Sequence, residues 1–193
     1  PDRPVDMIYL CFPNNPTGYA ISKLEADQLV GLLLETAEEG RNLVVVTDDA
    51  YFGLFYGEEV YQESLFARLA GSHERILAIK VDGPTKEQFV WGFRTGMLTF
   101  STRAFLSDEA LYAAISKKAA GAIRSAISNC SQVSQSILAK AMAKPGLSEE
   151  RLQKKAILAA RAMKVQEILR SPEYAKLWEP YPFNAGYFMC LKL

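Results

Sequence analysis

The chain has 193 residues, 49% of them hydrophobic and 23% charged, which is the balance of a globular protein with a sizeable core and excludes a disordered or fibrous one. Twenty-two basic residues offset 22 acidic ones, so no net field draws the chain to nucleic acid or to an anionic membrane. Cys11, Cys130 and Cys190 are too few and too widely spaced for a disulfide framework or for CxxC zinc ligation, which points to a reducing compartment. His73, the sole histidine, lies in the polar stretch Gly71-Ser72-His73-Glu74-Arg75 and reads as a solvated loop residue rather than a catalytic one. No apolar run approaches the ~18 residues that a membrane span needs. Pro1-Asp2-Arg3-Pro4 has no signal-peptide character, and the expected location is the cytoplasm.

In chain order, strands and helices alternate. Residues 7–12 form a short apolar run ending at Pro13, and residues 43–47 (LVVVT) are a β-branched run of the kind buried in parallel sheets. Between them, Ser22-Lys23-Leu24-Glu25 is a capping box that opens a helix. The apolar face of that helix is expected to include Leu24, Leu29, Leu32 and Leu33, and it stops near Gly40. Residues 64–69 read as helical, 76–81 as a third strand and 96–100 as a fourth. This alternation predicts an α/β sheet.

Beyond Asp108 small and apolar residues recur at helical spacing until Lys144-Pro145-Gly146, which fits two or three helices. A long helix over 148–170 follows, with Ser148 as its cap and Ser171-Pro172 as its stop; it could link two domains. The last stretch, 183–193, reads as a strand. No internal repeat or low-complexity tract is present.

Chemistry concentrates in four short segments. Pro13-Asn14-Asn15-Pro16-Thr17-Gly18 falls between a strand and a helix, where open α/β sheets bind ligands, although the same residues also make ordinary turns. Thr47-Asp48-Asp49-Ala50-Tyr51 places two carboxylates at a strand end. Val81-Asp82-Gly83-Pro84-Thr85-Lys86 follows another strand, and Gly92-Phe93-Arg94-Thr95-Gly96 puts an arginine eight residues after the lysine.

Taken together, N-N-P-T-G, D-x-A-Y, a lysine and G-x-R-x-G resemble the series that binds pyridoxal phosphate (PLP) in class I and II aminotransferases, the aspartate-aminotransferase-like enzymes of fold type I. The resemblance implies an α/β fold: residues 1–147 as the C-terminal half of the mostly parallel-sheet PLP-binding large domain, and 148–193 as an interdomain helix with the start of a small α+β domain. It implies that Lys86 holds the cofactor's aldehyde covalently and acts as the base at the substrate Cα. Arg94 would pair with the phosphate through its planar fork. Asp48 would face the pyridine nitrogen, and Asn15 and Tyr51 would donate hydrogen bonds to the ring's phenolic oxygen. The D-x-A-Y spacing selects Asp48 over Asp49, which is left as a supporting or capping group, and the eight-residue interval to Arg94 selects Lys86 over Lys80. Members of the family often have a cis bond at Asn15-Pro16.

One departure stands out. Many members carry a serine or threonine three positions before the lysine, assisting the phosphate, and here that position is Gly83. Thr85 is the candidate substitute. A fifth segment, Ile123-Arg124-Ser125-Ala126-Ile127-Ser128-Asn129, resembles the region in which aspartate-type members place an arginine for a dicarboxylic substrate across the dimer interface; a plain helix-surface arginine is the other reading of Arg124.

The expected function is transamination between an amino acid and a 2-oxo acid, in a protein that is a homodimer at full length. Because the family also needs a preceding phosphate loop with a stacking aromatic and a later arginine for the substrate α-carboxylate, the expectation is a fragment with little activity alone. Two alternatives use the same scaffold: other PLP chemistry, such as a carbon-sulfur lyase or an aminocyclopropane-carboxylate synthase, and the aminotransferase-like sensor domain of a transcriptional regulator.

Overall fold

The structure is a computed structural model that describes residues 5–103 and 108–193. The reading of Pro1-Asp2-Arg3-Pro4 as lacking a leader lies outside the described residues. Four strands, β1 (Val5–Cys11), β2 (Asn42–Asp48), β3 (Ile76–Asp82) and β4 (Met97–Thr102), form one sheet in the order β1-β2-β3-β4. The first three run parallel and β4 runs antiparallel to β3. The four strands expected between residues 7 and 100 are therefore present, and the fold is α/β with a mostly parallel sheet.

One face of this sheet carries the core. Leu43 and Val45 of β2 and Ile76 and Ala78 of β3 are buried against α1 (Lys23–Glu38) and α2 (Leu65–Leu69). The capping box forms as expected: Ser22 accepts from the Glu25 N–H, and the Glu25 carboxylate accepts from the Ser22 N–H. The expected helix face needs correction. Ala26, Val30, Leu33 and Ala37 are the buried residues of α1, whereas Leu24 and Leu32 point to solvent. Residues at 26, 30, 33 and 37 share one stripe at helical spacing, and its two alanines let the helix backbone approach the sheet closely. Residues 43–46 of β2 are all apolar, yet burial alternates along the strand at Leu43, Val45 and Thr47, because the opposite face of the sheet is not covered by the described residues.

α4 (Asp108–Ala126) and α5 (Gln132–Met142) fill the helical stretch, and α6 (Leu147–Leu169) is the long helix. Ser148 does not cap α6. Gly146, in the left-handed conformation, holds that position without any side-chain bond, so Ser148 falls within the first turn.

The expected C-terminal strand over 183–193 does not form as one element. Gly186 adopts a left-handed φ of 69° and gives its N–H to the Leu54 carbonyl, which breaks the extended run. What remains is a bridge between Ala185 and Phe55 and a two-residue β6 (Leu191–Lys192) antiparallel to β5 (Glu179–Pro180). This segment fastens onto the loop after β1. The Asn184 side chain bonds both backbone groups of Ala20, at 2.7 and 2.9 Å, and Asn184 and Ala185 both donate their N–H to the Gly18 carbonyl. Only glycine fits at 18: φ is 72°, and a Cβ there would lie 1.9 Å from the Phe188 carbonyl oxygen.

Candidate active site

The four motif segments lie at the C-terminal ends of β1, β2 and β3 and at the start of β4, which is where an open parallel sheet has room for a ligand. The loop after β1 is held by its own polar groups. The Asn14 carboxamide oxygen accepts from the Thr17 hydroxyl at 2.8 Å, and the Asn14 carbonyl accepts from the Gly18 N–H at 2.9 Å. Asn15 is exposed at the tip, and the Asn15–Pro16 peptide is cis, as is Phe12–Pro13.

Asp48 ends β2 and Asp49 follows it, and the two side chains fall on opposite sides of the sheet because successive extended residues alternate. Asp48 is on the open face. The Ala50 N–H donates to its Oδ1 at 3.0 Å, and the Tyr9 hydroxyl donates to its Oδ2. Asp49 is only 4% exposed, on the covered side, where Lys80 Nζ stands 3.6 Å from an oxygen that has no hydrogen-bond partner among the described residues. Burial pushes the Asp49 carboxyl above the usual range, with Ser64 and Lys80 opposing it. Lys80 itself pairs with Asp82 at 2.6 Å.

Tyr51 is 6% exposed and lies under Lys86, whose Nζ is 4.7 Å from the ring centroid. Tyr187 and Phe188 meet the same ring edge-on, each at 5.8 Å, so the C-terminal segment walls the tyrosine in. Burial raises the Tyr51 phenol, and Asn15, by hydrogen bonding it, pulls the other way. Lys86 sits in α3 (Pro84–Glu87), a single turn following β3. Arg94 comes after a short 3-10 turn, with a left-handed φ of 51°; it is exposed and, among the described residues, makes no hydrogen bond or ion pair. Gly83 packs against the residue after Arg94: a Cβ on Gly83 would stand 3.2 Å from the carbonyl oxygen of Thr95, so a serine or threonine there would require that backbone to give by a few tenths of an ångström.

The structure thus brings Asn15, Tyr51 and Lys86 together and sets Asp48 on the same sheet end. Arg94 is placed in the neighbouring turn. Arg124 is elsewhere: it is in the last turn of α4, exposed, and bonds the Ser128 hydroxyl at 2.6 Å. His73 is, as expected, a loop residue, with Nδ1 accepting from the Arg75 N–H at 3.0 Å. Tyr9 and Cys11 are not part of the motif series, yet both lie at the cluster. The one sequence signal for them is alternation along β1, which puts them on a single face; it becomes informative only with the register, in which Cys11 is level with Asp48. Burial, first of all, raises the Cys11 thiol, with Asp48 adding to the effect and Lys86 opposing it.

The chemistry of this side-chain set fits pyridoxal phosphate. An acid can face a basic ring nitrogen, a phenol and an amide can meet a phenolic oxygen, an amine can take an aldehyde, and an arginine without a counter-ion can meet a phosphate.

Comparison with known proteins agrees. Residues 1–193 match the family model for aminotransferase class I and II. An LL-diaminopimelate aminotransferase of Phocaeicola vulgatus is 45% identical over 51 residues, which are 26% of this chain and 11% of that protein. Among solved structures, an aminotransferase from Anaerococcus prevotii superposes with a TM-score of 0.74 at 21% identity, covering 96% of this chain and 44% of that one. An aromatic-amino-acid aminotransferase from Burkholderia pseudomallei, described as covalently bound to pyridoxal phosphate, gives 0.60 at 23% identity, over 82% of this chain and 37% of that one. At such identities the superpositions speak for the fold, and the chain spans less than half the length of either structure. The chain belongs to the aminotransferase class I and II family.

Proposed function

We propose that the protein of which these residues are a part carries out PLP-dependent transamination between an amino acid and a 2-oxo acid. What supports this most is the 4.7 Å contact between Lys86 and the buried Tyr51 ring, beside a carboxylate at the end of the adjoining parallel strand. When bound, pyridoxal phosphate supplies an aldehyde that accepts the amino group and a ring that takes up electrons from the substrate Cα.

Each side chain then has one task. Lys86 holds the aldehyde and, when free, moves the proton at the substrate Cα. Asp48 keeps the ring nitrogen protonated by placing a negative charge against it. Tyr51 and Asn15 donate to the phenolic oxygen, and the aromatic wall around Tyr51 excludes water there. Arg94 holds the phosphate, with the close approach of Gly83 to Thr95 shaping that turn. In the same reading the large domain ends near residue 147, and α6 leads into a second domain. A homodimer would let Arg124, outward-facing on α4, meet the second carboxylate of an acidic substrate bound by a neighbouring subunit.

The test uses the full-length gene product with added pyridoxal phosphate. Borohydride reduction should leave the cofactor on the peptide containing Lys86, and turnover of an amino donor should require a 2-oxo acid. Cofactor trapped on another lysine would refute the assignment. Comparing aspartate or glutamate with neutral donors, in parent and Arg124→Ala proteins, tests the acidic preference: a selective loss with the acidic donors is expected.

A further inference from the structure

Asp48 depends on a partner that the motif series does not contain. Tyr9 and Asp48 belong to neighbouring parallel strands on the open face of the sheet, and the register sets Cys11, not Tyr9, level with Asp48. Tyr9 therefore starts two residues back, about 6.6 Å along the strand. Side chains in strands lean along the strand direction, and a tyrosine is long enough to bridge that gap with its hydroxyl. The other β1 side chains on this face cannot take its place: Val5 and Met7 have no donor, and the Cys11 thiol is turned to the Pro13 carbonyl at 3.5 Å.

We infer that Tyr9 is a positioning residue for Asp48, its hydroxyl fixing the orientation in which the carboxylate meets the cofactor's ring nitrogen. The inference rests on the role proposed above for Asp48. The Ala50 N–H holds Oδ1 at 3.0 Å and Tyr9 holds Oδ2, so one donor on each oxygen removes rotation about the carboxylate. Ala50 alone would leave the group free to swing. A carboxylate offers about four lone-pair sites, so both donors can stay in place while the ring nitrogen is bound. The phenol is pushed up to about 12, chiefly by the hydrogen bond to Asp48, which keeps Tyr9 a donor throughout the working range of pH. Tyr9 is also 59% exposed in these residues, so its place on this face is not set by core packing.

Two measurements on the full-length gene product decide the matter. The first is a double-mutant cycle of Tyr9→Phe and Asp48→Ala, read as the dissociation constant of pyridoxal phosphate. Tyr9→Phe should weaken binding about tenfold in the parent, the low end for a hydrogen bond to an ionised group. In the Asp48→Ala background the same change should stay within about twofold, because the acceptor is gone. An equal factor in both backgrounds, or no change in either, overturns the inference. The second places 3-fluorotyrosine at position 9, leaving the fold intact, and follows its fluorine resonance without cofactor. The resonance should move on Asp48→Asn; an unmoved resonance overturns the inference even where Tyr9→Phe does not fold. Borohydride labelling of Lys86 in the parent separates the two levels. Labelling with an uncoupled Tyr9 refutes this inference alone, whereas a moving resonance without labelling refutes the cofactor reading.

Discussion

The sheet half of the molecule, residues 5–103, and the helical half, residues 108–193, use similar amounts of apolar sequence to different ends. In the first, α1 and α2 close over β2 and β3 and bury a continuous cluster from Ile21 to Ala78. In the second, α6 has no buried residue and α5 has one, Leu138, while Ile123, Ile127, Val133, Ile137, Ile157 and Met163 stay exposed. A sheet face gives a helix something flat to cover; three successive helices bury little unless their stripes face a common partner. The candidate site follows the same division. Every residue of the Lys86 cluster comes from the half with the core, and the helical half adds only the strip of Tyr187 and Phe188 against Tyr51.

The sharpest way to break this division is to remove chemistry from the first half. Lys86→Ala in the full-length gene product should abolish borohydride-trapped cofactor and lower transamination by at least about 10³-fold, since one group serves as both anchor and base. The melting temperature should hardly change, because Lys86 lies on a short turn over a tyrosine ring and carries no core packing. Retained turnover would move the centre of the site elsewhere.

Stability offers the next contrast. Leu43→Ala, at a position 2% exposed between α1 and the sheet, should cost about 3 kcal/mol in denaturant unfolding. Ile157→Ala, at a position 54% exposed on α6, should stay within about 0.5 kcal/mol if only the described contacts act on it. A loss of 2 kcal/mol or more at Ile157 in the full-length product would show that the apolar stripes of the helical half are covered by something beyond these residues, and the contrast would then describe this chain alone.

What could be read from the sequence follows the same line. The four strands, the capping box and the long helix were legible because each depends on short-range patterns: a β-branched run, a Ser-x-x-Glu pair, a helical period. The site segments were legible because their order and spacing resemble a family, and Asn15, Tyr51 and Lys86 do converge. Elsewhere residue type misleads, because a partner surface in one case and a left-handed glycine in two others decide the local geometry. Residue type favours Leu24 and Leu32 as inward, whereas the sheet receives Ala26 and Ala37. Residue type favours Ser148 as a cap, although Gly146 sets the start of α6. The apolar residues of 183–193 favour a strand, but Gly186 turns the chain toward Leu54. Tyr9 escaped notice because a tyrosine in a strand looks like packing until the register brings it to Asp48.

The smallest expected effect concerns charge in the two halves. Asp49 is buried, and burial favours its neutral form, so its carboxyl is raised from the ordinary value of 3.8. A raised carboxylic acid contributes stability that is fully present below its unfolded value and is lost as pH climbs through the folded one. Asp49→Asn stays neutral at every pH and keeps the shape. Relative to the parent it should therefore gain as pH rises above about 4, reaching up to about 1 kcal/mol at pH 7. Lys80 tolerates the change because Asp82 remains 2.6 Å away. The matching change on α6, Glu167→Gln, breaks an exposed pair with Lys164 at 2.6 Å and should stay within about 0.5 kcal/mol over the same range. Unfolding curves at pH 4, 5.5 and 7 distinguish the two. If Asp49→Asn instead loses more than about 1 kcal/mol at pH 7, the Lys80 attraction outweighs desolvation, and the buried carboxylate belongs with the stabilising contacts of the core.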